Sequence, residues 1–451
     1  MATKPNVILV NCDDLGWGDL ACYGHRQHKT PHLDRMAAEG MKFTDFYMAS
    51  PVCSPSRGAM MTGCYPRRIG FGDFDGRWVL FPGQEIGLDP AEKTIAGVLK
   101  DEGYATRIIG KWHCGDQPEF LPTRHGFDGY YGIPYSNDMG RQSPKDTWPP
   151  LPLLRDETVI EEQPDQVTIT SRYVEDAKLF MRAHRDTPFF LYLAHMYVHL
   201  PHYVQERFLR ESENGPYGGA VAAIDWAMGQ ILAELNALGI DEKTVVMFTS
   251  DNGSRNDFGP SCGHLRGGKG QTWEGGMRVP LIVRWPGTVP AGVEQPGLAA
   301  SIDLLPTIAS FAGAKKLPEK KTDGIDLSGL MTGSRSDSPR ELFYYFHFNN
   351  LEAIREGKWK LHFRKKDQEI SELYDLEADP GETKDVLEEH PEVVARLTEL
   401  GEAAREDLGD DALGISGNCR PIGRVREGRT LTEFNPEHPY YLAEYDLDGR
   451  G

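Results

Sequence analysis

The feature that most constrains the fold is a series of short apolar runs separated by segments of helical periodicity. The apolar runs lie at residues 6–10, 106–109, 189–193, 244–248 and 280–283. Uninterrupted runs of this length are typical of strands buried on both faces of a parallel sheet. Their alternation with helical segments predicts an α/β fold, with a large, mostly parallel sheet sandwiched between helices.

The helical segments carry start and stop signals. Thr30, followed by proline, predicts one N-cap, and Thr94 predicts another. Between Val221 and Leu238 apolar residues recur at helical spacing, and Gly239 stands where a C-terminal glycine is favoured. These segments supply the helices that cover the predicted sheet.

The pattern changes after about residue 335. Short strands are predicted at 342–348, 359–363 and 372–376, followed by one helix over 391–408. We therefore predict a large domain over residues 1–335 and a smaller C-terminal subdomain over 336–451. The smaller unit is expected to contain an antiparallel sheet, the helix and an irregular tail.

Composition excludes some classes of protein. The 49 basic and 68 acidic residues give a net charge of −19, which argues against nucleic-acid binding. No apolar run approaches 18 residues, so no membrane span is predicted. Seven cysteines without a C-x-x-C pair favour reduced thiols. Because no signal segment is present, we expect a cytoplasmic protein, or a periplasmic or secreted one if the sequence is trimmed.

Polar side chains cluster directly after four of the predicted strands. Ligands of open α/β sheets bind at the carboxyl ends of strands, so these residues predict one site. They are Asp13 and Asp14, then Lys111 and His113, then His195, His199 and His202, and finally Asp251 and Asn252.

The carboxylate and amide oxygens of this set suit Ca²⁺ or Mg²⁺ better than zinc. Each motif alone also has a structural explanation, since Asp14 is a suitable helix cap and Asp251-Asn252-Gly253 a suitable turn. The adjacent carboxylates of Asp13 and Asp14 repel each other in a partly buried cleft unless a cation is bound. Their shared position at strand ends favours a metal site.

A second group surrounds Cys53, within the segment C-S-P-S-R. Pro55 fits the first turn of a helix, which places Cys53 at the helix N-terminus, where anions are favoured. Arg57 lies one turn later and is able to direct its guanidinium to the same place. A buried core thiol is the alternative interpretation of Cys53.

Taken together, these motifs resemble those of the type I sulfatases, close to the arylsulfatases, within the alkaline-phosphatase-like superfamily. The resemblance spans nearly the whole chain. The matching segments are 13–19, 53–57, 110–113, 132–136, 198–201, 251–253, 268–270, 274–276, 373–376 and 379–380.

The resemblance implies that residues 1–335 form a catalytic domain that hydrolyses sulfate monoesters. It further implies that a formylglycine-generating enzyme converts Cys53 to formylglycine, whose hydrated aldehyde is the nucleophile. The bound ion is expected to be Ca²⁺, with Mg²⁺ as the alternative. The implied ligands are Asp13, Asp14, Asp251, Asn252 and residue 53.

The remaining roles implied by the resemblance concern charge and protons. Arg57 and Lys111 hold residue 53, and His113 takes a proton during sulfate release. His199 and Lys269 bind sulfate and protonate the leaving oxygen, Asp251 is the base for the attacking hydroxyl, and Ser136 contacts sulfate. His195 and His202 are expected to support the site or line its wall.

One position departs from the family pattern. Cys64 follows Thr62-Gly63, where an arginine usually assists the modifying enzyme. This departure leaves open a non-catalytic Ca²⁺-dependent binder of sulfated glycans, if Cys53 is unmodified. A phosphodiesterase or phosphonate monoester hydrolase of the same superfamily also stays open, because sulfate and phosphate are both tetrahedral anions.

The substrate itself, a sulfated small molecule or a sulfated glycan, is not determined by the sequence. Its pocket is expected to be lined by residues 72–88, 139–152 and the C-terminal tail. Phe74, Trp78 and Trp148 are candidate stacking residues there, with packing inside the loops as the alternative.

Overall fold

The computed structural model describes residues 4–141, 147–255, 257, 259, 261–366 and 368–440. These residues form the strands β1 Asn6–Cys12, β2 Met41–Tyr47, β3 Ile86–Gly87, β4 Ala105–Gly110, β5 Gly129–Gly132, β6 Pro152–Arg155, β7 Thr158–Glu162, β8 Phe189–Ala194, β9 Thr244–Ser250, β10 Arg278–Arg284, β11 Val293–Gln295, β12 Ala299–Ala300, β13 Leu342–His347, β14 Asn350–Glu356, β15 Trp359–Lys365, β16 Gln368–Asp375 and β17 Gly423–Arg424. The α-helices are α1 Pro31–Ala38, α2 Cys53–Thr62, α3 Ile95–Asp101, α4 Ile169–Ala183, α5 Glu206–Leu209, α6 Gly215–Leu238, α7 Glu274–Met277, α8 Leu304–Phe311, α9 Ser328–Met331 and α10 Pro391–Leu408.

The large sheet has the strand order β11-β2-β10-β9-β1-β8-β4-β5-β6-β7, with β12 also paired to β2. The central strands β9, β1, β8, β4 and β5 are parallel neighbours, whereas β10 runs antiparallel to β9 and β2. The predicted mostly parallel α/β sheet is therefore confirmed. The parallel centre brings the carboxyl ends of β1, β4, β8 and β9 to one edge.

Both faces of this sheet are buried. Along β1, Val7 and Leu9 belong to one hydrophobic cluster and Ile8 and Val10 to the other, because successive side chains of a strand point to opposite faces. Helices α3 and α8 pack into the first cluster, and α4 and α6 into the second. This double burial explains why the central strands are continuously apolar in sequence.

All three predicted helix signals stand at the expected positions. The Thr94 hydroxyl accepts a 3.1 Å hydrogen bond from the backbone N–H of Gly97, and Gly239 ends α6 in the left-handed region. Thr30 is the N-cap residue of α1, followed by proline at the first helical position as predicted, but its side chain makes no capping hydrogen bond. Its hydroxyl instead accepts the N–H of Ala21 at 2.9 Å and donates to Asp34, so a tertiary contact competes with the cap.

The smaller sheet contains β13-β14-β15-β16, all antiparallel, and α10 packs against it. The helix predicted over 391–408 is confirmed, and β14 is an additional strand between two predicted ones. The tail returns to the larger unit, where β17 pairs with β3 and Arg420 binds the carboxylate of Glu92 at 2.8 Å. The domain boundary at residue 335 stays a prediction.

All seven cysteines are free thiols, as the sequence predicted. Among the described residues, none of the helices combines the length and the apolar character needed for a transmembrane span.

Gly110 ends β4 at φ +110°, directly before the site residue Lys111. A Cβ at this position would lie 1.9 Å from the carbonyl oxygen of Ala194 in the neighbouring strand. We expect Gly110→Ala to destabilise the protein by more than Gly24→Ala, which is the matched control. Gly24 has a similar φ of +100° with no atom near its added Cβ, so it suffers only the left-handed strain of about 1–2 kcal/mol. Thermal denaturation of the two variants measures the difference, and equal melting temperatures would contradict the steric argument.

Candidate active site

The site is built where two central strands end side by side. β1 and β9 are parallel and in register, with Cys12 opposite Ser250, so Asp13 and Asp251 emerge next to each other. The N–H of Asp251 donates to the carbonyl of Cys12 at 3.0 Å. Asp14 then turns into the left-handed region, with φ +62°, and donates its N–H to Asp251 Oδ1 at 3.2 Å.

Oxygen donors converge at this edge. Ligand atoms of Asp13, Asp14, Cys53 and Asp251 all lie within 4.8 Å of one another, and all four residues are buried. Asn252 donates its amide Nδ2 to Asp14 at 2.7 Å, while its buried Oδ1 has no hydrogen-bond partner among the described residues. Three carboxylates and an unpartnered amide oxygen fit a hard divalent cation.

Cys53 is the first residue of α2 and is 1% exposed. The preceding residue, Val52, is extended, and Pro55 occupies the first turn, as the sequence predicted. The Cys53 thiol lies 3.4 Å from Asp13 Oδ1. Burial, together with the Asp13 carboxylate, raises the pKa of this thiol, so it is neutral and a weak nucleophile near neutral pH.

Arg57 and Lys111 neutralise the carboxylates. Arg57 places Nε and Nη2 each 2.8 Å from Asp251 Oδ2, and Nη1 donates to the Lys111 carbonyl at 3.0 Å. Lys111 Nζ donates to Asp13 Oδ2 at 2.5 Å and to Ser136 Oγ at 3.2 Å. These contacts bring residues from α2 and from the ends of β1, β4 and β9 into one buried network.

The two central carboxyl groups titrate in opposite directions. Burial alone would raise the pKa of Asp13, but the nearby charges of Lys111, Arg57 and Lys269 outweigh it and hold that pKa well below its usual value. Burial and the neighbouring Asp13 carboxylate raise the pKa of Asp251. Of these two carboxyl groups, Asp13 is therefore the one that keeps its negative charge to lower pH.

Lys269 and His199 lie on the other side of Asp14. Lys269 Nζ is 2.8 Å from Asp14 Oδ2, and His199 Nε2 is 3.9 Å from the same oxygen. Burial and the Lys269 charge lower the pKa of His199, which favours the neutral imidazole. Ser136 Oγ lies 3.4 Å from the His199 ring and links this pair to Lys111.

His113 follows β4 in the left-handed region, with φ +58°. Its Nε2 lies 3.0 Å from the carbonyl of Leu80, which fixes the ring, and its buried Nδ1 has no hydrogen-bond partner within the described part of the chain. Burial and Lys111 lower the pKa of His113 well below its ordinary value. The imidazole is therefore neutral and able to accept a proton.

A cavity of about 380 Å³ opens onto this cluster. It is lined by Val52, Cys53, Arg77, Trp78, Val79, Phe81, His113, Ser136, Asp138, Met139, His199 and Lys269. Five predicted site residues line this cavity together with the stacking candidate Trp78. The other predicted ligands and cations are not among the lining residues: Asp13, Asp14, Arg57, Lys111, Asp251 and Asn252.

The predicted pocket residues divide into two groups. Trp78 lines the cavity and is 42% exposed, but Phe74 is fully buried against Phe71 in the core and Trp148 lies outside the cavity lining. Arg77, Val79 and Phe81 come from the predicted stretch 72–88, and Asp138 lies one residue outside the predicted stretch 139–152. Residues 142–146 and 441–451 fall outside the described residues.

Two further predicted histidines do not belong to the cavity lining. His195 is buried, accepts the N–H of Tyr197 at 3.0 Å and packs edge-on against Tyr173. His202 lies against Tyr217, with Nε2 2.8 Å from the Val198 carbonyl. Burial lowers the pKa of both to about 4, so they are neutral supporting residues of the surrounding loop.

Comparison with known proteins identifies the family and the fold. The sulfatase family model matches residues 5–314, which include every residue of the cluster. The chain belongs to the sulfatase family. The model of the N-sulphoglucosamine sulphohydrolase C-terminal region also matches this sulfatase, over residues 268–406.

Relatives agree along almost the full length of the chain. Arylsulfatase A of Homo sapiens is 38% identical, covering 89% of this sulfatase and 87% of the relative. N-acetylgalactosamine-6-sulfatase of Rattus norvegicus is 35% identical over 97% and 94%. The crystal structure of the PsFucS1 sulfatase from Pseudoalteromonas sp. superposes with a TM-score of 0.82 at 27% identity, covering 93% and 92%. This sulfatase is therefore a sulfuric ester hydrolase.

We expect Ca²⁺ to raise the melting temperature of this protein, because a cation relieves the repulsion among Asp13, Asp14 and Asp251. A ligand present at 100 times its Kd adds about 2.7 kcal/mol to the free energy of unfolding. Asp14→Asn keeps the shape and the left-handed backbone and should reduce the rise. Differential scanning fluorimetry in CaCl₂ against EDTA, with KCl at equal ionic strength as the control, measures this. An equal rise with KCl would contradict cation binding.

Proposed function

We propose that this sulfatase hydrolyses sulfate monoesters with formylglycine at position 53 and a divalent cation, Ca²⁺, held by Asp13, Asp14, Asp251, Asn252 and residue 53. The observation that carries the proposal is the convergence at Cys53. Its side chain lies at the start of α2, within the carboxylate cluster and at the floor of the cavity. A neutral, buried thiol has little nucleophilic power of its own, which supports a role for the oxidised form.

The two added groups supply distinct chemistry. When residue 53 carries the hydrated aldehyde, one hydroxyl supplies the oxygen that attacks sulfur, and the second permits sulfate release as the aldehyde re-forms. When bound, a divalent cation polarises a sulfate oxygen and favours an ionised nucleophile. Arg57 and Lys111 balance the negative charge that develops at this position.

The side chains around residue 53 handle the protons of the first step. The S–O bond to the nucleophile forms while the S–O bond to the alcohol breaks. Asp251 accepts the proton of the attacking hydroxyl, and Lys269, or His199 once it is protonated, donates one to the leaving oxygen. Both donors line the cavity above Asp14, where sulfate is expected to bind, and Ser136 adds a hydroxyl contact.

His113 acts in the second step. Its Nδ1 accepts the proton of the remaining hydroxyl while the C–O bond to sulfate breaks, and water then restores the hydrate. The hydrogen-bonding distance from Nε2 to the Leu80 carbonyl indicates that Nε2 carries the proton and Nδ1 the lone pair. The lowered pKa of His113 keeps this base neutral before the step.

Co-expression with a formylglycine-generating enzyme should yield a protein that releases 4-nitrophenol from 4-nitrophenyl sulfate. Cys53→Ala should abolish turnover, because the nucleophile is lost. Cys114→Ala is the matched control, since it removes another fully buried thiol that lies outside the cavity lining and should keep activity. Peptide mass spectrometry establishes the aldehyde at residue 53. Absence of turnover despite a confirmed aldehyde, or faster turnover of 4-nitrophenyl phosphate, would contradict the proposal.

His113→Ala should lower kcat by about 10²–10⁴-fold, the usual contribution of a positioned base. Since only sulfate release is impaired, the variant should still liberate one equivalent of 4-nitrophenol in a burst and retain sulfate covalently. Rapid-quench kinetics and intact-protein mass spectrometry detect these two signatures. His184→Ala, at the end of α4, is the control and should turn over normally. A slow variant with neither burst nor adduct would rule out this role for His113.

A further inference from the structure

The wall of the cavity opposite the carboxylates contains an aromatic ring beside exposed positive charge. We propose that Arg77 and Lys366 form a cationic rim around Trp78 that binds a second anionic group, a carboxylate or another sulfate, on the leaving group. The preferred substrates would then be acidic sulfated saccharides rather than neutral sulfate esters. This inference rests on the proposed function, because it assigns the substrate class of that same site.

Trp78 is placed to contact the leaving group. Its ring lies against the turn that carries Lys269, since a Cβ on Gly270 would be 2.6 Å from Trp78 Cζ3. The ring therefore stands next to the proposed sulfate-binding lysine while remaining 42% exposed. Val79, Phe81 and Met139 make the neighbouring wall largely apolar. A flat ring that stacks on Trp78 would be covered on its other edges by these side chains.

Arg77 and Lys366 reach Trp78 from two different units of the fold. Arg77 directly precedes Trp78 and lines the cavity, and its guanidinium lies 4.7 Å over the Phe81 ring. Lys366 comes from the turn between β15 and β16 in the smaller sheet, with Nζ 5.6 Å from the centre of the Trp78 ring. The backbone of Lys366 is held in place because its N–H donates to Glu352 Oε1 at 2.6 Å.

Arg77 and Lys366 are both exposed. Neither has a carboxylate partner within the described part of the chain. Two of the nearby acids are bound elsewhere: Asp75 pairs with Arg424 at 2.9 Å, and Glu352 binds the backbone N–H of Lys366 and Thr272. Asp138 lines the cavity from the segment that carries Ser136 rather than from the Trp78 segment. In a chain with a net charge of −19, two cations near one ring, neither paired with a carboxylate among the described residues, create a local positive field that attracts anions.

An ordinary explanation is that exposed cations are simply solvated. The arrangement argues for more, since the Arg77 guanidinium is held over the Phe81 ring, and Lys366 has a bonded backbone N–H and an ammonium over the Trp78 ring, which lines the cavity. Both are therefore preorganised, which lowers the entropic cost of binding a ligand. The pair also explains how the smaller unit would contribute to substrate choice without touching sulfate.

The test is a pair of 6-sulfated disaccharides that differ only in the uronic acid, which is either intact or reduced to the alcohol. A 4,6-disulfated disaccharide forms the third arm and distinguishes a second sulfate from a carboxylate. The readout is the ratio of kcat/KM for each acidic probe to that for the reduced probe. Because it is a ratio, a general loss of activity in a variant cancels. For a probe that is not cleaved, its inhibition constant against 4-nitrophenyl sulfate replaces kcat/KM.

We expect the unaltered protein to prefer an acidic probe by roughly fivefold for each cation engaged, the strength of an exposed ion pair. Arg77→Gln and Lys366→Gln should each reduce the ratio, and the double variant should bring it close to one. Lys243→Gln is the matched control, because it removes the same charge. Lys243 directly precedes β9, so it lies at the amino ends of the strands, opposite the site. The preference should also shrink as salt is raised.

Three results would overturn the inference. They are equal rates or inhibition constants for acidic and reduced probes, a preference that survives in the double variant, and an equal loss of preference in Lys243→Gln. Failure of the proposed function is distinguishable, since it would abolish turnover of 4-nitrophenyl sulfate in the unaltered protein with a confirmed aldehyde at residue 53.

Discussion

The structure depends on a buried balance of charge at the carboxyl ends of the central strands. Three negative side chains, Asp13, Asp14 and Asp251, meet three positive ones, Arg57, Lys111 and Lys269. All are buried except Lys269, whose side chain is 15% exposed at the cavity. Buried charges are tolerated only when they are paired, and each lysine or arginine here is within 2.8 Å of a carboxylate. A divalent cation would leave the site with two excess positive charges, which matches a sulfate ester together with an ionised nucleophile.

The smaller sheet belongs to this balance. The turn that carries Lys269 is followed by Glu274, which is fully buried and binds Lys360 of β15 at 2.9 Å. Lys360 also lies 2.9 Å from Glu382, which in turn binds His362 at 2.8 Å. The position of Lys269 is therefore coupled to a buried polar network that extends across both sheets. Removing the smaller unit would take Lys360 away from Glu274 and leave it with Arg278, whose Nη1 is 3.6 Å away, and with the Tyr47 hydroxyl.

Much of this arrangement could be predicted from the sequence, for physical reasons. Strands buried on both faces are continuously apolar, so β1, β8 and β9 were recognisable, and parallel strands bring their following residues together. The strand β2 was not recognised, because Lys42, Thr44 and Asp45 interrupt its apolar run, and their partners are distant in sequence. The sequence did not distinguish aromatic residues of the core from those of the cavity wall. Phe74 and Trp78 lie in the same segment, yet only packing against Phe71 and Gly270 decides that one is core and the other cavity wall.

The burial of α2 has a consequence for biogenesis. All five residues of the segment 53–57 are buried in the folded protein. Only 1% of the surface of Cys53 and of Arg57 is exposed. A modifying enzyme is therefore unable to bind this segment in the folded protein. On the proposed function, the oxidation of residue 53 must therefore precede folding, while the nascent chain is still open. The competition between these two events would determine what fraction of newly made molecules becomes active.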